Sequence, residues 1–319
     1  MPSPSRRHAR ALPAAALLLL AACVPATPAA TSVTPAPSPD TSAAAALAVV
    51  DTRLGRAVAP SAMHDAIAGA DVVFVGERHD DPVAHRTELA VLEELARRGR
   101  RVVLALEMFE RDVQPLLDAY LAGRATEAEL LAGARPWPNY AADYRPLVEL
   151  ARARGWPVVA SNAPRPLASL VARGGLAALD TLPAATRRTV AAELRCPEDA
   201  YRAKFVALMG GAASHGAPPA TPTSPAAADS ARAAAAAGLQ RFYEAQCVKD
   251  ETMAESVAAA VAPGVTVVHV NGSFHSDEGL GTVDRLRRRR PEARVLVISV
   301  APRGADAAGR LGDYVITGR

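Results

Sequence analysis

The stretch DVVFVGERH, at residues 71–79, decides the fold predicted for this chain. Its four consecutive apolar residues, 72–75, predict a strand that is buried on both faces, as strands of parallel sheets are. The run stops at Gly76, and His79 follows three positions later. The strand therefore delivers a polar side chain at its C-terminal end.

The same design occurs near the other end of the chain. The stretch VTVVHVNGSFH, at residues 265–275, is an apolar run that reaches Gly272 and then His275. Between the two lies a third apolar run, residues 102–106, which ends in the carboxylate of Glu107. If these strands are parallel neighbours, their ends share the edge of the sheet at which α/β proteins bind ligands.

Strand signals alternate with helical periodicity through much of the chain. Further apolar runs lie at residues 157–161 and 295–300, and residues 313–317 predict an additional edge strand. This rhythm predicts an α/β fold, with a mainly parallel β-sheet flanked by helices and right-handed crossovers.

The strand signal disappears between residues 164 and 260. The pattern there is helical and predicts an inserted all-α subdomain, with a low-complexity loop rich in Gly, Ala, Ser and Pro at residues 210–228. Helices are expected at residues 164–173, 184–195, 197–209 and 231–260. The α/β core is then formed by residues 45–163 and 261–319.

The N-terminus has the pattern of an export signal. Arginines precede a short Ala/Leu-rich stretch within residues 1–22, and Leu20-Ala21-Ala22-Cys23 matches the lipobox of bacterial lipoproteins, in which the cysteine is acylated. The alternative is ordinary cleavage with Cys23 incidental. Residues 23–44, rich in Pro, Thr, Ser and Ala, predict a disordered tether.

Charge and cysteines narrow the expected partners. Removal of residues 1–22 takes away three arginines and no acidic residue, which leaves 33 basic residues against 33 acidic ones. This balance gives no electrostatic basis for nucleic-acid binding. In an exported chain, Cys196 and Cys247 are a natural disulfide pair.

Two histidines and a carboxylate suit a divalent transition metal with open coordination positions. Here these groups are His79, Glu107 and His275, with Glu77 as a further donor or general base. The competing interpretation is that each histidine is a hydrogen-bonded structural residue. Further polar residues expected at the same edge are Asn162, Gln246 and Asp250; for the last two, satisfying helix ends is an equally simple role.

Six motifs in order resemble the ChaN-like haem-binding lipoproteins of the Tiki group, over roughly residues 60 to 300. They are Gly76-Glu77-Arg78-His79-Asp80-Asp81-Pro82 with His85, Leu106-Glu107-Met108-Phe109, Trp137 with Tyr140 and Tyr144, Asn162-Ala163-Pro164-Arg165, Ala245-Gln246 with Asp250 and Met253-Ala254, and Gly272-Ser273-Phe274-His275. The long Ala/Pro/Ser-rich segment at residues 210–228 is a departure from a typical member of this family.

The resemblance implies a binding protein of the cell envelope that takes up haem for iron acquisition. A tyrosine is the expected axial donor for ferric haem, with Tyr140 and Tyr144 as candidates. Packing of Tyr144 in the core is an equally good interpretation. The slot for the ring is expected from Trp137, Met108 and Phe109, and the propionate partners from Arg135, Arg145 or Arg165.

The resemblance also implies a location and possible partners. We expect a lipid-anchored protein of the outer membrane that faces the periplasm, in contact with the membrane through its anchor only. A homodimer and envelope haem-uptake components are the expected protein partners. The alternative function is a metal-dependent hydrolase, a peptidase or esterase, in which His79, Glu107 and His275 hold Mn²⁺, Co²⁺ or Zn²⁺ and Glu77 is the base.

Overall fold

The structure is a computed structural model that describes residues 48–213, 224–301 and 310–317. The predicted signal peptide, Cys23 and the tether at residues 23–44 lie outside the described residues, as does the middle of the loop predicted at residues 210–228. Within the parts of the chain that the structure describes, no helix combines the length and the apolar content needed to cross a membrane.

Eight strands form a single mixed sheet in the order β2-β1-β8-β7-β3-β6-β4-β5. The strands are β1 (Ala48–Asp51), β2 (Arg56–Val58), β3 (Val72–Glu77), β4 (Arg101–Glu110), β5 (Val158–Asn162), β6 (Val265–Gly272), β7 (Val295–Ala301) and β8 (Tyr314–Thr317). The strands from β8 to β5 are paired in parallel, and β1 is antiparallel to both β2 and β8. The predicted α/β fold with a mainly parallel sheet is confirmed.

Helices cover both faces of this sheet. They are α1 (Pro60–Gly69), α2 (Pro82–Arg97), α3 (Gln114–Leu121), α4 (Glu127–Ala134), α5 (Arg145–Arg154), α6 (Arg165–Gly174), α7 (Ala184–Arg187), α8 (Ala200–Ala213), α9 (Pro225–Ala260) and α10 (Thr282–Arg289). A π-helical turn, Tyr140–Tyr144, precedes α5.

The alternation of side chains along β3 divides the core in two. Val73 and Val75 pack with α1, α2, α3 and α5 on one face. Val72 and Phe74 pack on the other face with the end of α9 and with α10. Every residue of β3 is buried, as the unbroken apolar run predicted.

Three details differ from the expectations. The strand at residues 313–317 is not an edge strand, because the short β1–β2 hairpin pairs with it and takes the edge position. The helix expected at residues 184–195 ends at Arg187, and the chain then continues without helix to α8. Both α8 and α9 extend into the segment predicted as a loop; Ser224 caps α9 by accepting a hydrogen bond from the backbone of Ala227.

In the described part of residues 164–260 there are helices and turns, and this stretch belongs to the same compact unit as the sheet. Its separation as an inserted subdomain stays a prediction. Cys196 and Cys247 are free thiols in the structure. Their side chains lie close together in one cluster. A hydrogen bond with Cys247, together with burial, raises the pKa of the Cys196 thiol. The disulfide between them also stays a prediction.

The two glycines of the Gly-x-x-His turns pack against each other's turns. In the parallel pairing of β3 with β6, Gly76 lies opposite Asn271 and Glu77 opposite Gly272. A Cβ on Gly76 would lie 2.8 Å from Oγ of Ser276 and 3.2 Å from Cα of Ser273. Only glycine lets the second turn approach β3 this closely.

Replacing Gly76 by alanine should therefore destabilise the fold. We expect Gly76→Ala to lower the free energy of unfolding by about 1–3 kcal/mol, because the backbone at Ser273 must move to accept the methyl group. Urea denaturation measures this. Gly238→Ala is the matched control, since that glycine lies within α9 with nothing within 4 Å of the new Cβ, and it should be stabilising. Equal stability of the Gly76 variant and the wild-type chain would contradict the packing described here.

Candidate functional site at the carboxyl edge of the sheet

His79 stands at the edge of the sheet with about half of its side chain exposed. Its Nδ1 atom lies 2.7 Å from Oε1 of Glu77, and its ring packs against Trp137 with 4.2 Å between ring centroids. A Cβ on Gly272 would lie 2.9 Å from Cε1 of His79, so the glycine of the second turn makes room for the histidine of the first.

His275 is buried, and both of its ring nitrogens face carboxylates. Its Nδ1 atom lies 2.8 Å from Oδ1 of Asp250, and its Nε2 atom lies 3.4 Å from Oε1 of Glu107. Asp250 also accepts hydrogen bonds from Oγ1 of Thr282 at 2.8 Å and from the hydroxyl of Tyr201 at 2.7 Å. These bonds fix the orientation of the imidazole.

Glu107 connects the two histidine turns. Its Oε2 atom accepts a hydrogen bond from the backbone N–H of Gly272 at 2.7 Å. Burial alone would raise the pKa of Glu107, but the positive charge of His275, the charge of His79 and this hydrogen bond together lower it. The same pairing, with Asp250, outweighs the burial of His275 and raises its pKa to about 10.

The structure brings His79, Glu107 and His275 to one end of the sheet, and α9 adds Asp250 and Gln246. The Nε2 atom of Gln246 lies 3.3 Å from Nε2 of His275. Asn162 is buried at the end of β5, where its Oδ1 atom accepts a hydrogen bond from the backbone N–H of Ala163 at 2.8 Å.

A different set of donors is the most tightly grouped. Among the described residues, the three side chains whose donor atoms all lie within 4.8 Å of one another are Glu77, His85 and Glu88. The expected metal ligands His79, Glu107 and His275 are not such a set, and their role stays a prediction. The site reasoning from the sequence missed Glu88, although a His-x-x-Glu spacing on the helix after the first turn places both side chains on one face.

The aromatic residues expected to hold haem lie mostly in the interior. Tyr140 and Tyr144 are almost completely buried, and burial raises the pKa of both phenols. The hydroxyl of Tyr144 donates to Oε1 of Glu77 at 2.5 Å. Met108 and Phe109 belong to the core of the sheet domain. The role of these residues in haem binding stays a prediction.

The three arginines expected near the propionates differ in their surroundings. Arg135 donates to Glu110 and Asp112, and Arg145 donates to Glu127. The side chain of Arg165 is 71% exposed and lies 3.9 Å from Glu110. Of the three arginines, Arg165 is therefore the one most accessible to an anionic ligand.

Arg165 also borders an apolar groove between α6, α8 and α9, with a volume of ≈ 300 Å³. The groove is lined by Phe205, Met209 and Phe242, and by Lys249 as a second cation. Gln246 lines it as well, so the groove lies next to His275. We call it the α8–α9 groove. The groove could not be predicted from the sequence, because its residues lie on three helices that periodicity alone predicts and that only the tertiary fold brings together.

Comparison with known proteins shows the family of the chain. The sequence profile described as "Haem-binding uptake, Tiki superfamily, ChaN" matches residues 63–286. The structure resembles ChaN of Campylobacter jejuni, with a TM-score of 0.60 and 15% identity over 86% of this chain and 97% of that chain. An erythromycin esterase in its open conformation is more distant, with a TM-score of 0.44 and 14% identity over 81% and 78% of the two chains. A search of curated proteins found no match.

Because the profile covers well over half of its length, this chain belongs to the haem-binding uptake family of the Tiki superfamily, the ChaN family. The family resemblance expected from the sequence is confirmed. The similarity to the Campylobacter jejuni protein shows that the two chains share a fold.

The buried Asp250–His275–Glu107 chain predicts a pH-dependent stability. The pKa of His275 is raised from 6.5 to about 10 in the folded chain, so its contribution is fully present below about pH 6.5 and is lost as the pH rises through about 10. We measure the free energy of unfolding by urea denaturation in the presence of a chelator. Between about pH 7 and pH 10, this free energy should fall by a few kcal/mol more in the wild-type chain than in His275→Gln. Parallel pH profiles of the two chains would contradict the ion pairing.

Proposed function

We propose that this chain is a haem-binding lipoprotein of the cell envelope that serves haem and iron acquisition. The family supports haem as the ligand class, and the α8–α9 groove is the observation that carries the proposal for this chain. A haem needs an apolar slot for its ring, cations for its propionates and an axial donor for its iron.

The groove offers the first two of these features. Phe242, which lines the groove on α9, is 53% exposed. A large apolar side chain exposed at an apolar groove is typical of a surface that binds a ligand or a partner. Arg165 and Lys249 border the same groove and provide two positive charges for the propionates.

The axial donor remains the tyrosine that the family resemblance implies. Tyr140 and Tyr144 are the candidates, and their phenols are buried. Coordination through either phenolate therefore requires the segment at residues 137–144 to open outward. The hydroxyl of Tyr140 makes no hydrogen bond within the described structure, so moving it out breaks none.

We propose further that two copies of the chain pair over the groove. The solved structure of Campylobacter jejuni ChaN is described as binding haem cofacially. Two haems held face to face in the grooves would cover the exposed side chain of Phe242 on both copies. Light scattering with and without haemin measures this dimer, and a chain that stays monomeric with haem bound would exclude it.

The location in the envelope rests on the N-terminal sequence. We propose that residues 1–22 direct export, that Cys23 is acylated and anchors the chain in the outer membrane facing the periplasm, and that haem-uptake components of the envelope are its partners. In this oxidising compartment the neighbouring thiols of Cys196 and Cys247 would form a disulfide. The mass of the membrane-extracted chain checks both modifications; an unmodified N-terminus would exclude the anchor.

A metal-dependent hydrolase is the second candidate. It is favoured by the Asp250–His275–Glu107 hydrogen-bonded chain, because a carboxylate bonded to the far nitrogen of a histidine is typical of metal ligands. His79, Glu107 and His275 would hold Mn²⁺, Co²⁺ or Zn²⁺, and such an ion supplies an activated water. Glu77 lies beside His79 as a base. Hydrolysis that persists after chelation, or in His79→Ala, would exclude this candidate.

The haem proposal predicts the effect of reversing one charge at the groove. Haemin titrated into the purified full-length chain should give a saturable shift of the Soret band. Arg165→Glu should weaken this binding about tenfold, or about 1.4 kcal/mol, because it places a negative charge near a propionate. Arg173→Glu is the matched control, since it changes another exposed arginine of the same helix away from the groove.

Two results would contradict the proposal. The absence of a saturable Soret shift at micromolar protein would argue against haem binding altogether. Equal weakening by Arg165→Glu and Arg173→Glu would leave haem binding in place but remove the α8–α9 groove as its site.

A further inference from the structure

A second cluster of ionisable side chains lies beside the edge, and neither haem binding nor the expected rim ligands use it as a unit. Glu77 closes β3, and His85 and Glu88 lie one turn apart at the start of α2. All three side chains are buried, with relative exposures of 2%, 7% and 0%. Their donor atoms lie within 4.8 Å of one another.

The cluster has more carboxylate oxygens that can accept hydrogen bonds than it has donors to satisfy them. The Nδ1 atom of His85 lies 3.2 Å from Oε2 of Glu88 and 3.3 Å from Oε2 of Glu77, and a single N–H can donate well to one of them. Oε2 of Glu77 and Oε1 of Glu88 are buried without a hydrogen-bond partner. A buried carboxylate oxygen without a partner is destabilising unless a proton or a cation approaches it.

The far side of His85 is already arranged as in a metal ligand. Its Nε2 atom lies 3.2 Å from the backbone carbonyl of His79 and 3.5 Å from Oδ2 of Asp143. A proton on Nε2 satisfies this carbonyl and leaves the lone pair of Nδ1 directed at the two carboxylates. Such a hydrogen bond from the distal nitrogen commonly fixes the tautomer of a metal-binding histidine.

We propose that Glu77, His85 and Glu88 together bind a divalent transition-metal cation. Two carboxylates and a neutral imidazole balance the charge of a dication and provide the oxygen and nitrogen donors that Zn²⁺ and Mn²⁺ accept. A bound ion gives a partner to both unpaired carboxylate oxygens at once. A shared proton is the simpler occupant, and it satisfies one carboxylate at the expense of the other.

A surface cavity lies beside the cluster, and Glu77 connects the cluster to the edge of the sheet. A cavity of ≈ 240 Å³ lined by His85 and Asp143 opens beside it. The other oxygen of Glu77, Oε1, holds Nδ1 of His79 and the hydroxyl of Tyr144. An ion at this cluster therefore fixes the carboxylate that orients His79, and it is a structural support for the edge of the sheet rather than part of a reacting centre.

Metal titration of the full-length chain tests the site. The chelator-treated chain is titrated with Zn²⁺ and, separately, with Mn²⁺, and retained metal and the melting temperature are measured. We expect Glu88→Gln to retain one equivalent fewer than the wild-type chain and to lose most of the rise in melting temperature. Glutamine matches the protonated acid in shape, so the variant folds; its melting temperature in chelator, equal to or above that of the wild-type chain, verifies this.

Two control variants locate the ion. Glu93→Gln makes the same chemical change at an exposed position of α2 and should bind as the wild-type chain does. Glu107→Gln removes a carboxylate of the neighbouring edge and should also keep the ion of this cluster. A wild-type chain that retains no ion would overturn the proposal. So would retention that is lost in Glu107→Gln and kept in Glu88→Gln, because the ion would then lie at the edge. None of these outcomes depends on haem binding.

Discussion

The parallel pairing of β3 with β6 is the interaction on which the rest of the edge depends. It sets Gly76 opposite Asn271 and Glu77 opposite Gly272, so that two turns from distant parts of the chain meet face to face. Each glycine leaves room for the other turn: Gly76 for Ser273 and Ser276, and Gly272 for His79. A side chain at either position would separate the histidines from Glu107. The repeated Gly-x-x-His pattern is thus a packing requirement as well as a chemical one.

The meeting of the two turns buries several carboxylates, and each of them lies beside a histidine. Asp250 and Glu107 are buried on either side of His275. The protonated imidazole lowers the pKa of both carboxyl groups, and the two carboxylates raise the pKa of His275. On the other side of the edge, Glu77 and Glu88 share His85, whose pKa rises to about 9. Burial and the nearby charge of Glu77 raise the pKa of Glu88. In the group around His275, each carboxylate has a ring nitrogen as its partner. In the group around His85, two carboxylates compete for one ring nitrogen, so the negative charge exceeds the positive charge. This excess of negative charge favours a cation there, whereas the first group is a balanced ion pair.

The sequence predicted the parts of the fold that depend on long apolar runs. The strands β3, β4, β5, β6 and β7 were identified because each contains a run of mostly apolar residues. Polar residues were expected at the ends of the first four, although β4 continues three residues past Glu107, to Glu110. The β1–β2 hairpin was not, since strands of three or four residues with partly exposed side chains give no such signal. Its absence from the prediction also put the last strand wrongly at the edge of the sheet.

Side-chain environment was harder to predict than strand position. Tyr140 and Tyr144 were candidates for haem donors, with core packing as the alternative for Tyr144, and a π-helical turn directs both into the core. Glu88 lies on a helix in which Glu93 faces solvent, and the burial of Glu88 depends on its tertiary contact with Glu77 as well as on the helical spacing that places it beside His85. Residue type and spacing identify the location of the edge, whereas packing determines which of its groups are available to a ligand.

Helix α9 is where the two candidate functions meet. Within about one turn it presents Gln246 and Lys249 to the α8–α9 groove and Asp250 to His275. Gln246 contacts both, because it lines the groove and its Nε2 atom lies 3.3 Å from Nε2 of His275. A ligand in the groove therefore packs on the same helical turn that holds the histidine of the edge. Both proposed functions, haem binding and metal-assisted hydrolysis, would use this turn of α9, so the same set of motifs is compatible with either.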